Sequence, residues 1–134
     1  MTAAPRPVDR EDPIFLPFWE GTESGELRVQ HCQNCGRILW PPRPMCGTCQ
    51  STKLNWAPLV PRGVLFTWTE VVHQTVAWIA PPYVVGLVEL PEARIRMLGQ
   101  IHDVAPAPIA IGMPLRARFD PSPSGVTLLN WIPE

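Results

Sequence analysis

Four cysteines carry the clearest chemistry in the sequence. Cys32 and Cys35 form one C-x-x-C pair, Cys46 and Cys49 a second, and ten residues lie between the pairs. A two-residue spacer lets a tight turn aim two thiolates at one ion, and Zn²⁺ prefers four tetrahedral ligands at about 2.3 Å from sulfur. One such pair alone would be ambiguous, because thioredoxin-like redox sites use it. Two pairs in a Gly- and Pro-rich segment point to a single structural zinc, ahead of iron or two disulfides. Four thiolates leave no open position for a reacting water, so the metal is read as structural rather than catalytic. His31, beside Cys32, is an alternative ligand, though it fits a strand residue better. Gly36 after the first pair suits a positive φ. Gln50 stands in the equivalent place after the second pair, with Gly47 inside it, which predicts a different turn there.

The remaining polar residues form no comparable constellation. His73 and His102 lie near the ends of predicted strands, and no Ser or free Cys is spaced to act with them. Glu70 and Glu89 read as isolated and solvated, and no glycine-rich phosphate loop occurs. No catalytic residue is assigned, and the expectation is a chain without an active site of its own.

These cysteines need elements to position them. The segment Leu27-Arg28-Val29-Gln30-His31 alternates as a strand leading into Cys32. Ile38-Leu39-Trp40 supplies a second strand, stopped by Pro41-Pro42, and Leu54-Asn55-Trp56 leads out. Together they make a zinc ribbon over residues 27–60. Before it, residues 1–12 read as a frayed tail. Asp12 and Pro13 look like an N-cap and first helical position, and Phe15, Phe18 and Trp19 share one helical face. The short helix should end near Gly21 or Gly25, and residues 1–26 form the N-terminal unit.

After Gly63 the texture changes. Residues 64–72 are rich in β-branched and aromatic side chains, the pattern of a long strand. Further strands are predicted at 83–90, 94–102, 115–119 and 126–132, with Pro91-Glu92-Ala93 short enough for a hairpin. Five short strands over residues 61–134 fit a Greek-key OB-fold barrel, with a small sandwich as the alternative. The fold class is therefore mostly β: a short N-terminal helix, a zinc ribbon and a C-terminal five-stranded OB-fold barrel.

Composition bounds the function classes. Charged residues make up 17% and hydrophobic ones 46%, which is globular rather than disordered. The 18 prolines count against long helices. Net charge is −1 and Lys53 is the only lysine, a weak electrostatic basis for nucleic-acid binding. That function stays as the alternative, because zinc ribbons and OB barrels both bind single strands. No apolar run of about 18 residues exists and no apolar leader follows Met1. A soluble cytoplasmic protein is expected, a compartment in which paired cysteines serve as metal ligands more often than as disulfides. Two apolar features lack an evident home: the aromatic helix face, and the loop 74–82 with Trp78, Pro82 and the adjoining Tyr83. They nominate Phe15, Phe18, Trp19, Trp78, Pro82 and Tyr83 as a partner interface.

The order of these features resembles a known family. Phe18-Trp19-Glu20-Gly21, the strand into Cys32, Cys-x-x-Cys-Gly and Pro41-Pro42-Arg43-Pro44 occur in sequence. So do Gly63 opening a Trp- and Thr-rich strand, Pro82-Tyr83-Val84-Val85 and Ile111-Gly112-Met113-Pro114. Over about residues 15–132 the chain is similar to acyl-CoA-associated zinc-ribbon plus OB-fold proteins, once catalogued as a domain of unknown function. The resemblance implies that the zinc ribbon is rubredoxin-like, and that the chain is a non-catalytic subunit accompanying thiolase-like acyltransferases, lipid-transfer-type thiolase homologues or steroid side-chain aldolases. It also implies that the CoA thioester lies at or near the interface. Some relatives are fused to hot-dog hydratases, for which this chain is expected to have no room. Arg37, Arg43 and Arg62 are then candidates for the CoA phosphates, and Trp78 for the apolar pantetheine arm.

Overall fold

The computed structural model describes residues 8–104 and 108–134. Helix α1 (Leu16–Glu23) precedes strands β1 (Leu27–Cys32), β2 (Ile38–Leu39), β3 (Leu54–Leu59), β4 (Arg62–Val71), β5 (Tyr83–Leu90), β6 (Ile95–Ile101), β7 (Pro114–Pro121) and β8 (Thr127–Pro133). The first three strands make a ribbon in the order β2-β1-β3, and the last five a closed barrel in the order β4-β5-β6-β8-β7. The expected OB-fold is the observed one. A sandwich is ruled out because β7 pairs back onto β4 at Arg62–Arg116 and Gly63–Leu115.

Alternation builds the barrel. On β5, Val84, Gly86, Val88 and Leu90 face inward while their neighbours face outward. Leu65, Met97, Leu115 and Trp131 fill the interior and are essentially inaccessible. Losing a side chain of this size from a closed core costs about 3–5 kcal/mol, so Trp131 anchors the barrel.

The helix starts later than the sequence predicts. Asp12 Oδ1 accepts from the Ile14 amide at 3.0 Å, and Asp12 O accepts from Phe15 and Leu16. Asp12 therefore closes a turn ahead of the helix and does not cap it. Phe15 is the N-cap residue, and Pro17 falls in the first turn, where its missing N–H is no loss. The helix ends at Glu23, near the expected Gly25, which takes the left-handed turn at φ 77° after the C-cap Ser24 while Glu26 N–H donates to Gly21 O at 2.8 Å.

The frayed tail is also corrected from residue 8 onward. Val8 N–H donates to Ser124 O at 3.0 Å. Arg10 forks onto both oxygens of Glu23 at 2.5 and 2.8 Å. A bidentate guanidinium–carboxylate pair and a backbone bond together hold this segment down. The earlier part of the predicted tail, residues 1–7, lies outside the described residues.

Nor does the aromatic helix face lack a home. Phe18 is 4% exposed, with its ring 4.8 Å from that of Trp40, and Phe15 meets Trp40 edge-on at 6.3 Å. Phe18, Leu27 and Val29 belong to one apolar cluster with Leu65, Val88 and Trp131. Helix, ribbon and barrel thus share a core. Phe18 spends its surface inside the chain and is not an exposed partner contact.

Candidate functional site

The two knuckles build the metal centre. Gly36 N–H donates to Cys32 O, and Gln50 N–H to Cys46 O, both at 2.9 Å. Each first cysteine then donates back, Cys32 to Arg37 O at 2.8 Å and Cys46 to Ser51 O at 2.9 Å. Gly36 has φ 77° and Gln50 φ 62°. The predicted difference between the knuckles is therefore corrected. Gln50 adopts the left-handed backbone that the motif imposes, although it carries a Cβ.

All four sulfurs lie within 4.8 Å of one another. Cys32 and Cys49 Sγ are 3.5 Å apart, Cys35 and Cys46 Sγ 3.7 Å. A disulfide needs about 2.05 Å, whereas tetrahedral sulfurs around zinc sit about 3.8 Å apart. The donor set fits zinc. Cys32 and Cys46 are buried, Cys49 half-buried and Cys35 exposed. A hydrogen bond from the Asn34 side chain, then the Ser51 amide, draws the Cys49 thiol down to about 6. Amides of Cys49 and Thr48 lower Cys46. Cys35 accepts from the Arg37 amide, yet desolvation and the other three sulfurs push it up to about 11. Four thiolates this close repel one another unless a cation sits among them, and N–H donors around them are what a metal–thiolate site requires. His31 stands in β1 between Ile38 and Asn55, outside this ligand set.

Beside the centre, an open cleft of about 690 Å³ separates ribbon and barrel. The ribbon contributes Arg37 and Arg43, and the β5–β6 hairpin contributes Arg94 and Arg96. Arg43 is placed by Gln30, whose side-chain amide accepts from Arg43 N–H at 2.8 Å and donates to Arg43 O at 2.9 Å. A Cβ at Gly47 would lie 3.0 Å from Arg43 Nη1, so the glycine inside the second knuckle leaves room for that guanidinium. Arg96 pairs with Glu89 at 3.0 Å and lies 3.6 Å over the Phe66 ring. Glu89 is thus not isolated, as the sequence suggests; antiparallel pairing with Arg96 supplies its partner.

The predicted ligand residues divide. Arg37 and Arg43 share this cleft, while Arg62 lines a second, more apolar one of about 670 Å³ and pairs with Glu134 at 2.8 Å. Trp78 is half-buried in the β4–β5 loop and lines neither. Pro82 and Tyr83 border a smaller cleft of about 220 Å³ with Glu70, His102 and Asp103. Tyr83 OH is 2.9 Å from Thr75 Oγ1. His102 Nε2 is buried, without a hydrogen-bond partner among the described residues, and 3.9 Å from Asp120 Oδ2. Arg94 and Arg96 escaped the sequence reading, because only the fold carries the hairpin to the ribbon. Among the described residues no helix is long and apolar enough to cross a membrane.

Comparison with known proteins agrees with this architecture. Residues 19–55 match the family described as ChsH2, rubredoxin-like zinc ribbon domain. Residues 56–120 match that described as ChsH2, C-terminal OB-fold domain. The chain is 37% identical to the 3-oxo-4,17-pregnadiene-20-carboxyl-CoA hydratase alpha subunit of Mycobacterium tuberculosis, over 96% of this chain and 40% of that one. It is 35% identical to a DUF35 domain-containing scaffold protein of Methanocaldococcus jannaschii, over 66% of this chain and 63% of the other. It therefore spans less than two thirds of these curated relatives. Among solved structures, a chain of the Ltp2-ChsH2(DUF35) aldolase superposes with a TM-score of 0.83 at 29% identity, covering 96% of this chain and 98% of that one. A DUF35 protein of unknown function from Sulfolobus solfataricus shares the fold, with a TM-score of 0.64 over 94% and 89% of the two chains at 18% identity.

Proposed function

The chain belongs to the ChsH2 (DUF35) family of zinc-ribbon and OB-fold proteins, and from that premise we propose that it is a non-catalytic accessory subunit. Its partner would be a thiolase-like enzyme acting on CoA thioesters, either an acyltransferase or a steroid side-chain aldolase. The observation that carries this reading is the near full-length superposition on a chain of the Ltp2-ChsH2(DUF35) aldolase. Its zinc site also supports the reading, since a four-thiolate centre orders a fold and leaves no position for substrate.

In this role the ribbon and barrel form one rigid block, through the core they share. The half-buried Phe15, at the N-cap of α1, and Trp19 within it, together with Trp78, Pro82 and Tyr83, are the proposed partner contacts. The CoA thioester lies at or near that interface. Of the arginines expected to reach its phosphates, Arg37 and Arg43 converge on one cleft and carry no ion pair among the described residues. Arg62, tied to Glu134, is the weaker candidate.

Affinity purification of the tagged chain from its native host, with mass spectrometry and metal analysis, tests the reading. The expected result is a thiolase-like enzyme recovered in fixed ratio, with one zinc per copy of this chain. Full activity of that enzyme in the chain's absence would overturn it.

A further inference from the structure

The charge pattern around the ribbon–barrel cleft singles it out. Arg10, Arg28, Arg62, Arg96 and Arg118 each pair with a carboxylate. Arg37, Arg43, Arg94 and Arg116 pair with none among the described residues. Three of those four unpaired cations line the one cleft, and Arg96 makes a fourth guanidinium there, offset only by Glu89. Like charges gathered this way repel one another, and the fold holds them by separate devices. Gln30 grips the Arg43 backbone, and Phe66 lies under the Arg96 guanidinium. Arg94 sits at φ 55°, a left-handed backbone that a side chain with a Cβ adopts at a cost of about 1–2 kcal/mol. Strain of this kind is kept where position matters more than stability.

We propose that this cleft is a binding site for a nucleotide carrying clustered phosphates, held by Arg37 and Arg43 from the ribbon and Arg94 and Arg96 from the barrel. A planar guanidinium matches phosphate oxygens two at a time. Several such forks suit a pyrophosphate together with a further phosphate better than any single anion. Trp40 lines the same cleft and offers an apolar wall for the base. Because ribbon and barrel each supply two arginines, the ligand bridges the two units and favours their observed packing. The site stands on geometry alone; only the identification of its occupant with the nucleotide end of CoA rests on the proposed function above.

The test titrates the zinc-loaded full chain with adenosine 3′,5′-bisphosphate and with pyrophosphate by calorimetry at low ionic strength. Binding is expected, weakening as salt is raised. Arg43→Ala and Arg94→Gly should each weaken it about tenfold, the loss of one charge-assisted contact. Arg94→Gly is informative because glycine suits the φ of 55°: the variant should unfold at the same or higher temperature while binding falls. Arg116→Ala, which removes an unpaired arginine outside the cleft, should leave affinity unchanged. No binding by the unaltered chain, or equal losses in Arg116→Ala and Arg94→Gly, would overturn the site. So would a single-stranded oligonucleotide that binds more tightly than the bisphosphate and loses affinity equally in all three variants. Co-purification with Arg43→Ala/Arg94→Gly separates the two proposals: a recovered enzyme partner with no bisphosphate binding supports both. If the unaltered chain binds the bisphosphate but recovers no partner, the accessory function fails and the cleft stands.

Discussion

The side-chain amide of Gln30 satisfies both backbone groups of Arg43, accepting its N–H at 2.8 Å and donating to its C=O at 2.9 Å. Gln30 is 7% exposed in the central ribbon strand, and Arg43 lies in the Pro-rich connector between the knuckles. One buried amide thus replaces the ladder partner that this connector lacks, and it sets where the Arg43 guanidinium enters the cleft.

Replacing Gln30 tests that role. Gln30→Leu leaves a backbone donor and acceptor without partners, and an unmet buried polar group costs about 1–3 kcal/mol. Denaturant unfolding of the zinc-loaded chain should show a loss of about 2 kcal/mol. Gln30→Glu keeps the acceptor arm and loses the donor, so it should fall between Leu and the unaltered chain. Equal stability of all three would remove Gln30 from the account.

These contacts mark the limit of what the sequence discloses. Cysteine spacing is local, so Cys32, Cys35, Cys46 and Cys49 announce the metal centre unaided. Period-two alternation is local too, and Tyr83–Leu90 is legible to the residue. Asp12 followed by Pro13 misleads because a turn and a helix cap present the same local signal, and the difference lies in where residues 15–19 dock. The arginine cleft is invisible for a stronger reason. Arg37 and Arg94 are brought together only when the β5–β6 hairpin packs beside the ribbon, and nothing in either segment encodes the other.

Gln50 offers a stabilising substitution. Its φ of 62° matches the 77° of Gly36 at the equivalent place in the first knuckle. A residue with a Cβ loses about 1–2 kcal/mol in this region relative to its preferred one, part of which glycine gives back in chain entropy. Gln50→Gly should therefore stabilise the zinc-loaded chain by about 0.5–1 kcal/mol, read as a higher melting temperature. A lower one would mean that the Gln50 side chain makes contacts outweighing its backbone strain.

Metal removal should reach beyond the ribbon. Zinc binding by such modules contributes about 10–16 kcal/mol, so a chelator or Cys35→Ser should unfold β1–β3. Because Phe18, Leu27 and Val29 share a core with Leu65 and Trp131, the barrel should lose stability as well. Hydrogen exchange would follow the β1–β3 and β4–β8 amides separately. Unchanged protection of the barrel amides after chelation would show that the barrel stands alone.

Acid should destabilise the chain in two separate steps, through His102 and Asp120. Burial first, and then the Arg118 charge, lower the His102 imidazole below its usual 6.5, against the pull of Asp120 and Asp103. The folded chain thus binds fewer protons than the unfolded one as pH drops past 6.5. Stability is full above that value and declines until His102 itself is protonated. At Asp120, burial alone would raise the carboxyl, but hydrogen bonds from Asn130 and Arg118 outweigh it and hold it below 3.8. Its contribution is present above 3.8 and is lost as pH falls through the lower, folded value. Urea unfolding between pH 7.5 and 5 should show a decline in the unaltered chain that flattens in His102→Asn, since His31 and His73 are common to both. Asp120→Asn should flatten the loss below pH 4 and, because the Asp120 charge raises His102, deepen the decline in the upper window. Parallel curves for His102→Asn and the unaltered chain would assign the first step to another group.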